Sequence, residues 1–556
     1  MGPDLAPRPP APAAGALSVA TVTPSPRPQA LSTAATYAAI GTGASRLTGL
    51  LRIVALAWAL GQSPLADAFN LANTAPNMLY DIVLGGILSA TFIPVFIDHL
   101  SNRSEDDAYR SISAVLTASV LVLAVTSAVA WLLAPFIITA LTGLDTSAHA
   151  HQLARVVAER AVATTLLRWF VIQIAAYGCF ALATALLNTR RRFVAPAWGP
   201  IVNNIVCIAV LVWFGNWTHN GATLDSVSTH RDQLVLLGLG TSLGVVLQFV
   251  SLLPSLRAAR LGRLTWRWDP HDAALRTVVR LSGWTFGFVM ANQIALFVVT
   301  LLAGTAPGSD PVSSYTYAYA FLQMPYGIVA VTIMSVVTPD LSERWATGQK
   351  DAFVARLATG MRAMLALIIP AAIGLLLLAK PAVALLLGHG HSTAAQTGTT
   401  GAALALFAVG LPGFCAYLYV VRVLQTMQRT KVAFFLYVIE NAVNVALAVL
   451  LVHPLGVRGL ALSLSVAYTV GALLGLGLLR RWFGRLGTGA TWSPLRRVGV
   501  ASVAMGVVVL VVSNLSGATH GVALLARVLG AVMAGLGVYA AVAIMLGRRQ
   551  EAHRHR

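Results

Sequence analysis

The chain has 556 residues, of which 57% are hydrophobic and 10% are charged, and its mean hydropathy is +0.75. Soluble domains carry about 25% charged residues, so this composition excludes a water-soluble enzyme, a disulfide-rich secreted scaffold and a disordered regulator. The net charge is +19, because 38 Lys and Arg residues face 19 Asp and Glu residues. Such an excess is typical both of nucleic-acid binding and of the positive-inside rule, and the positions of the charges decide between them.

The first residues of the chain are rich in Pro and Ala. Residues 1–32 lack the apolar core of a signal peptide and are predicted to form a disordered cytoplasmic tail. Beyond them, windows of about 20 apolar residues recur, each long enough to cross a bilayer as a helix. They predict fourteen spans, at residues 34–60, 68–97, 112–141, 161–187, 195–216, 232–254, 277–303, 313–338, 357–379, 398–424, 432–453, 457–479, 495–514 and 520–547.

Basic residues between these spans predict the orientation of the chain. If the N-terminus lies in the cytoplasm, 27 Lys and Arg residues fall on cytoplasmic segments and six on external ones. The positive-inside rule therefore favours a multi-pass protein of the bacterial cytoplasmic membrane with both termini in the cytoplasm. The cytoplasmic charges are spread over eight segments and form no single surface, which excludes nucleic acid as a partner. Only three of the basic residues are lysines, which favours a GC-rich bacterial genome.

A weak internal repeat divides the spans into two sets. Residues 45–48 (SRLT) match residues 282–285 (SGWT) at an offset of 237. At an offset of 238, five residues around spans four and five match five around spans ten and eleven, namely Leu186, Arg191, Val194, Ala195 and Asn203 with Leu424, Arg429, Val432, Ala433 and Asn441. Because six spans separate the copies, both halves keep the same orientation and form parallel lobes with a cavity between them.

The predicted fold is therefore that of an all-α polytopic membrane protein with about fourteen transmembrane helices. Two parallel six-helix lobes surround a central cavity, and two additional helices follow at the C-terminus. After the tail, the predicted divisions are an N-terminal lobe (33–254), a basic cytoplasmic linker (255–276), a C-terminal lobe (277–480), two further spans (481–547) and a basic cytoplasmic tail (548–556).

Two arginines lie deep in span one, where a charge that faces lipid is costly. Arg46 and Arg52 are separated by about 9 Å along the helix axis and about 120° around it, so both can line one wide cavity. Two interpretations remain open. The arginines form an anion site, or they form a buried ion pair with Asp67 or Asp81 of span two.

Other polar residues within spans have simpler alternatives. Glu440 and Asn444 share a helix face in span eleven, where their oxygens could bind a small cation or could hydrogen-bond to a neighbouring helix. Three further arginines lie near span ends, where long side chains reach the membrane surface: Arg168, Arg362 and Arg422.

No enzyme motif occurs in the sequence, since a Walker loop, G-x-S-x-G and H-E-x-x-H are all absent. The three cysteines lack metal-ligand spacing, and His389 and His391 are better explained as a plain external loop than as a metal site. We therefore expect neither catalysis nor a bound metal. Transport would be driven by a monovalent cation gradient (sodium or proton), by the membrane potential or by the substrate gradient.

Short motifs recur in a fixed order along the chain. They are SRLTGLLR (45–52), ADAF (66–69), Pro76-Asn77, LSATFIP (88–94), LNT (187–189) with Phe193 and Pro196, QMP (323–325) followed by Pro339, and GLALS (459–463). In order and spacing, this series resembles the MurJ/MviN family of lipid II flippases, over most of the chain from about residue 33.

The resemblance implies a member of the multidrug/oligosaccharidyl-lipid/polysaccharide exporter superfamily that moves lipid II, an undecaprenyl-diphosphate-linked muropeptide, to the outer leaflet by alternating access. It places the diphosphate at Arg46 and Arg52, and guanidinium groups suit this role because they stay charged and grip phosphate oxygens bidentately. Asn77 and Asp81 complete the substrate site that we predict. The resemblance also implies a groove for the polyprenyl tail in the last two spans. A sodium site among spans seven, eleven and twelve would include Glu440 and Asn444.

Two departures from the family pattern leave alternatives open. Many members carry further arginines in spans two and eight, where this chain has Tyr80-Asp81 and Tyr319-Ala320. Either Asp81 orients one of the span-one arginines, or the chain is a divergent member that moves another polyprenyl-linked glycan. A transport-inactive scaffold that recruits cell-wall synthesis proteins through its basic loops is a further alternative. An enzyme acting on polyprenyl phosphate is the least favoured.

Overall fold

All the regular structure in the described part of the chain is helical. The structure is a computed structural model, and it describes residues 28–85, 105–142, 150–190, 192–219, 221–259, 261, 264–281, 283–307, 310–389, 392–484 and 492–554.

The first half contains ten helices within these ranges. They are α1, Pro28–Leu60; α2, Pro64–Tyr80, continued by a π turn over Asp81–Gly85; α3, Glu105–Leu132; α4, Ala134–Thr142; α5, Ala150–Phe170; α6, Ile172–Thr189; α7, Val194–Trp217; α8, Leu224–Thr229; α9, Arg231–Val250; and α10, Leu253–Ala258.

The second half and the C-terminal region contain ten more in the described ranges. They are α11, Ala273–Leu281; α12, Gly283–Gly304; α13, Pro311–Pro325, continued by a π turn over Tyr326–Ala330; α14, Val331–Ala346; α15, Lys350–Leu387; α16, Ala394–Thr426; α17, Thr430–Leu455; α18, Val457–Phe483; α19, Trp492–Ser516; and α20, Gly521–Arg554.

The helix pairs that pack in the first half have counterparts in the second. Helix α1 packs on α7 as α12 packs on α17, and α7 packs on α9 as α17 packs on α18. Likewise α2 packs on α5 as α13 packs on α16, and α9 packs on α5 and α6 as α18 packs on α16. This parallel agrees with the two lobes that the sequence repeat predicts.

The two lobes meet along α1, α2, α12 and α13. Helix α13 contacts both α1 and α2, while α12 contacts α4 and the π turn that continues α2. The two C-terminal helices, α19 and α20, pack on each other and on α15. A small apolar cluster that includes Leu378, Met505 and Val509 fills this contact.

The helices differ from the predicted spans mainly in length. Thirteen helices of the described chain are long and apolar enough to cross a membrane, and the fourteenth predicted span is span two. Its inner part, like Pro94 and the LSATFIP motif, lies outside the described residues. Spans three and four each consist of two consecutive helices, which meet near Leu133 and Val171.

Residues assigned to loops also lie within helices. Arg155 and Arg160 belong to α5, and Lys380 belongs to α15, although all three were predicted on external connections. Helix α1 begins at Pro28, inside the predicted N-terminal tail, and α20 continues to Arg554, inside the predicted C-terminal tail. Backbone hydrogen bonds continue a helix through polar sequence, whereas an apolar window marks only the part within hydrocarbon.

Candidate functional site

A cavity of about 590 Å³ lies between the two lobes. Its walls come from α1, α2 with the π turn that continues it, α7, α12 and α13, and from Thr241 of α9. All four residues of the predicted substrate site line it, namely Arg46, Arg52, Asn77 and Asp81. The residues predicted from charges within spans and those predicted from the family motifs therefore line the same cavity.

The two arginines of α1 are half-buried in this cavity and are not neutralised by described carboxylates. No ion pair joins Arg46 or Arg52 to an acidic residue within the described ranges, so the alternative of a buried ion pair with Asp67 or Asp81 is not what the structure shows. Two positive charges are therefore held beside low-dielectric walls, where the field attracts an anion more strongly than in water.

Asp81 bonds across the seam between the lobes instead of to an arginine. Its Oδ2 accepts a hydrogen bond of 3.1 Å from Nε2 of Gln293 on α12. The alternative in which Asp81 orients Arg46 or Arg52 by direct contact is therefore not what the structure shows. Asp81 instead lowers the net positive charge of the cavity and links the two lobes.

Helix α2 presents a polar stripe to the cavity, and most of it was missed from sequence. Residues three and four apart share a helix face, and the cavity-lining members are Asn70, Asn73, Thr74, Asn77 and Asp81. This spacing was readable in the sequence as a polar face on an otherwise apolar span. Neutral amides and hydroxyls of this kind supply hydrogen bonds to a polar head group without adding charge.

Two further walls hold the arginines in place. Asn204 of α7 donates to the carbonyl oxygen of Ser45 (3.1 Å) and to Oγ1 of Thr48 (3.0 Å), which fixes α1 on both sides of Arg46. On α13, the rings of Tyr315 and Tyr319 stack with centroids 6.3 Å apart. Both tyrosines line the cavity and give it an aromatic wall on α13.

Gly327, in the π turn after α13, gives the Arg46 side chain its space. A Cβ atom built at this position would lie 2.8 Å from Nε of Arg46, closer than real Cβ contacts. We expect Gly327→Val to displace the guanidinium and to weaken diphosphate binding several-fold, with little change in melting temperature. Gly374→Val is the control, since nothing lies within 4 Å of a Cβ there. Equal binding by the two variants in a pull-down with labelled polyprenyl diphosphate would contradict this contact.

A network of buried and half-buried polar contacts joins the two lobes at the end where α1 ends and α2, α13 and α16 begin. Oε1 of Gln62 accepts from Thr400 at 2.8 Å, and the backbone oxygen of Gln62 accepts from Nε2 of Gln396. The same amide of Gln396 donates to Asp310 at 2.8 Å, and Asp310 pairs with Arg155 at 2.7 Å. Gln62 and Arg155 belong to the first lobe, and the other three belong to the second.

Asp67 makes a second set of bonds at the same end. Its Oδ1 accepts from the backbone N–H of Ser313 at 2.8 Å and also from the Ser313 hydroxyl. Asn70 donates to that hydroxyl oxygen at 3.4 Å, and Tyr317 donates to the backbone oxygen of Gly61 at 3.3 Å. We name these residues, with Gln62, Asp310, Gln396 and Thr400, the polar seal. Asp67 therefore joins the two lobes.

Glu440 and Asn444 lie away from the cavity, between α17 and α18. Both are buried, and Asn444 Oδ1 accepts a hydrogen bond of 3.1 Å from Ser463 on α18. Oε2 of Glu440 has no hydrogen-bond partner among the described residues. Inter-helix hydrogen bonding therefore accounts for Asn444, whereas the buried Glu440 oxygen is the kind of ligand that a small cation requires.

The remaining span arginines lie at the surface of the helices. Arg168 sits 5.2 Å from the ring centre of Trp131 in a cation–π contact. Arg362 bonds within its own helix turn, and Arg422 is exposed and bonds to Gln425 at 3.3 Å. These positions are consistent with the prediction that the long arginine side chains reach the membrane surface. No group of three potential metal ligands occurs within the described ranges, and His391 lies outside them.

Comparison with known proteins now adds to this geometry. A family model described as "Lipid II flippase MurJ" matches residues 56–529. The chain belongs to the MurJ family. A curated relative from Rhizobium meliloti (strain 1021), "Probable lipid II flippase MurJ", is 29% identical over 79% of each chain. "Lipid II flippase MurJ" from Burkholderia cenocepacia is 27% identical over 83% of this chain and 86% of the relative.

Solved structures show the same fold. "Lipid II flippase MurJ, inward closed conformation" matches 94% of this chain and 99% of that one, with a TM-score of 0.72 and 23% identity. A multidrug resistance MATE family transporter of the MOP superfamily, in an inward-facing conformation, matches 81% of this chain and 98% of that one, with a TM-score of 0.62 and 14% identity. The chain therefore shares its fold with both of these proteins.

Proposed function

We propose that this MurJ family member is a lipid II flippase. It binds the diphosphate of undecaprenyl-diphosphate-linked muropeptide at Arg46 and Arg52 and moves the head group across the cytoplasmic membrane. The observation that carries this proposal is the pair of half-buried arginines, free of described carboxylates, in a cavity between two lobes. Of the two curated relatives described above, one is named as a lipid II flippase and the other as a probable lipid II flippase.

Alternating access follows from the same cavity. With both termini in the cytoplasm, as the basic residues favour, the polar seal faces the outside and blocks the cavity there. The seal joins the lobes through hydrogen bonds, next to the Arg155–Asp310 ion pair, and such polar contacts can be broken and remade as the lobes rock. A head group captured from the inner leaflet would leave on the outer side after the seal opens.

Reconstitution tests this function directly. Purified protein in vesicles should expose labelled lipid II to an external enzyme at a rate well above that of empty vesicles, and expression should rescue cells depleted of their resident flippase. A flippase for another polyprenyl-linked glycan, the alternative favoured by the Tyr319-Ala320 departure, would move its own lipid but not lipid II. A transport-inactive scaffold would capture cell-wall synthesis proteins and move neither lipid.

We further propose that a monovalent cation, sodium or a proton, binds at Glu440 and drives the return of the lobes, with Asn444 as a neighbouring oxygen donor. The donor set fits, because Glu440 supplies a buried oxygen without a described partner and Asn444 lies one helix turn along.

The cation proposal predicts that Glu440→Gln removes the dependence of flipping on the cation gradient, because the amide keeps the shape of the side chain and loses its charge. Flipping should be measured in vesicles with inward sodium, proton or choline gradients. Glu343→Gln, at an exposed site near the end of α14, is the matched control and should keep the parent's dependence. An unchanged gradient dependence in Glu440→Gln would rule out this site.

A further inference from the structure

Part of the basic linker between the lobes is bound along α3 of the first lobe. The backbone N–H of Thr265 donates to the hydroxyl of Ser113 at 3.1 Å, and the backbone N–H of Arg267 donates to the hydroxyl of Thr117 at 3.0 Å. Ser113 and Thr117 are both buried and lie one turn apart on the same face of α3. We name residues 264–272 the linker strap. Backbone bonds hold it to α3, so its side chains are available for other contacts.

The spacing of these bonds shows that the linker strap is extended where it meets α3. The two hydroxyls are four residues apart, or about 6 Å along the helix axis, and two residues of extended chain span about 6.6 Å. Side chains two residues apart lie on the same side of an extended chain. Leu264, Trp266 and Trp268 therefore form one row, which we name the apolar row. All three are exposed, Trp266 by 68% and Trp268 by 60%.

The position of the strap along α3 places the apolar row at the membrane surface. Arg110 is the last charged residue of α3 and is exposed. Ser113 and Thr117 lie about 4.5 and 10.5 Å beyond Arg110 along the helix axis. From Val122 onward, α3 exposes apolar side chains. The strap therefore lies between the charged end of a candidate span and its lipid-facing part, in the head-group layer, which is roughly 5–7 Å thick on each side of a bilayer.

The side chains of the apolar row match the chemistry of that layer. Tryptophan is enriched at membrane–water interfaces, because its ring is apolar while its N–H can bond to a head group. Leu264 adds apolar area on the same side of the strap. In water these three side chains would form an exposed apolar patch, whereas in the head-group layer their apolar surface is buried.

The charges of the linker favour an anionic lipid surface. Residues 255–281 contain six arginines and two aspartates. Both carboxylates are engaged within the protein, because Asp269 pairs with Arg267 at 3.1 Å and Asp272 accepts a hydrogen bond of 3.0 Å from Ser111. The linker therefore carries an excess of positive charge beside the apolar row. Basic residues next to a bilayer are attracted to anionic head groups.

We propose that the linker strap is a membrane anchor, in which Leu264, Trp266 and Trp268 insert into the head-group layer of the adjoining leaflet. Anionic phospholipid is the favoured lipid. The positive-inside rule assigns this leaflet to the cytoplasmic side. Lipid is favoured over a soluble protein because the row lies at head-group depth along α3. Since the strap is bonded to the first lobe and α11 leads into the second, the anchor holds the connection between the lobes at a fixed depth.

Depth-dependent fluorescence quenching tests this anchor. The three native cysteines are replaced by Ala, and a single cysteine labelled with NBD replaces Trp266, Trp268 or His271. His271 is the matched control, because it is exposed on the strap and lies outside the apolar row. In vesicles of phosphatidylethanolamine and phosphatidylglycerol, we expect a phospholipid with a doxyl group near its head to quench positions 266 and 268 at least threefold more than position 271. Aqueous iodide should show the reverse order.

The outcomes distinguish a lipid surface from a soluble partner. Iodide quenching at positions 266 and 268 that equals quenching at position 271, without quenching by doxyl lipid, would overturn the anchor and leave the row as a docking surface for a soluble protein. Equal doxyl quenching in vesicles of phosphatidylcholine alone would overturn the preference for anionic lipid.

A second variant tests whether the tryptophans hold the strap in the leaflet. NBD at position 264 should pass from doxyl quenching to iodide quenching when Trp266→Ser and Trp268→Ser are combined. The double variant retains the backbone bonds to Ser113 and Thr117, so the strap should stay on α3. Unchanged doxyl quenching at position 264 would show that the tryptophans are not the anchor.

Discussion

Replacing Arg46 or Arg52 with Ala is expected to lower diphosphate affinity about 10- to 100-fold each, because a hydrogen bond to a charged group contributes about 1.5–3 kcal/mol. The double variant should show no specific binding and no flipping. Arg→Lys at either position should restore only part of the affinity, because an ammonium keeps the charge and loses the bidentate geometry. Binding of labelled undecaprenyl diphosphate to purified protein, with flipping in vesicles, measures both effects.

Arg422→Ala is the matched control for the arginine series. Arg422 also lies on a spanning helix, but it is exposed and bonds only to Gln425 among the described residues, so its loss should leave binding within twofold of the parent. If Arg46→Ala and Arg52→Ala bind as well as this control, the anion site is not at these residues, whatever the transported lipid is.

Asp67→Ala is expected to open the polar seal. The substitution leaves the backbone N–H and the hydroxyl of Ser313 buried without their acceptor, at a cost of about 1–3 kcal/mol to the sealed state. The ratio of open to sealed molecules should rise roughly 5- to 150-fold, since every 1.4 kcal/mol is a factor of ten. Transport should fall, because a protein held open on the outside captures less lipid from the inner leaflet.

Thiol labelling measures the opening of the seal. Val312→Cys places a thiol in the cavity lining beside Ser313, in a background with Cys179, Cys207 and Cys415 replaced by Ala. A membrane-impermeant maleimide added outside should react with this thiol faster in Asp67→Ala than in the parent. Asp225→Ala, an exposed acidic residue on α8, should leave the rate unchanged. No acceleration in Asp67→Ala would show that Asp67 does not hold the cavity shut.

The features that the sequence predicts well are those carried by neighbouring residues. Arg46 and Arg52 stand out because they are charges within one apolar window, and both line the cavity. The stripe from Asn70 to Asp81 could be predicted for the same reason, since polar residues recur at helical spacing. The helical class and the membrane location follow from long apolar windows, which depend only on local composition.

The features that the sequence does not reveal depend on residues far apart in the chain. Gln62 bonds to Thr400, 338 positions away, and Asp81 bonds to Gln293, 212 positions away. Each of these partners alone is an ordinary polar residue. Only the packing of the two lobes makes it part of the polar seal or of the Asp81–Gln293 bond between the lobes. The ends of the helices were also missed, because Arg155 and Lys380 extend helices that hydropathy would end earlier.

The two π turns occupy equivalent places in the two lobes, at Asp81–Gly85 in span two and Tyr326–Ala330 in span eight. A π turn contains one residue more than an α turn, so α14, which follows the second π turn, is rotated by about 100° relative to an uninterrupted α-helix. Shifting that extra residue along the helix would rotate the intervening side chains by the same angle without unwinding the backbone. In span eight, such a shift would change which side chains of the π turn and its neighbours face the cavity, independently of how far the lobes tilt.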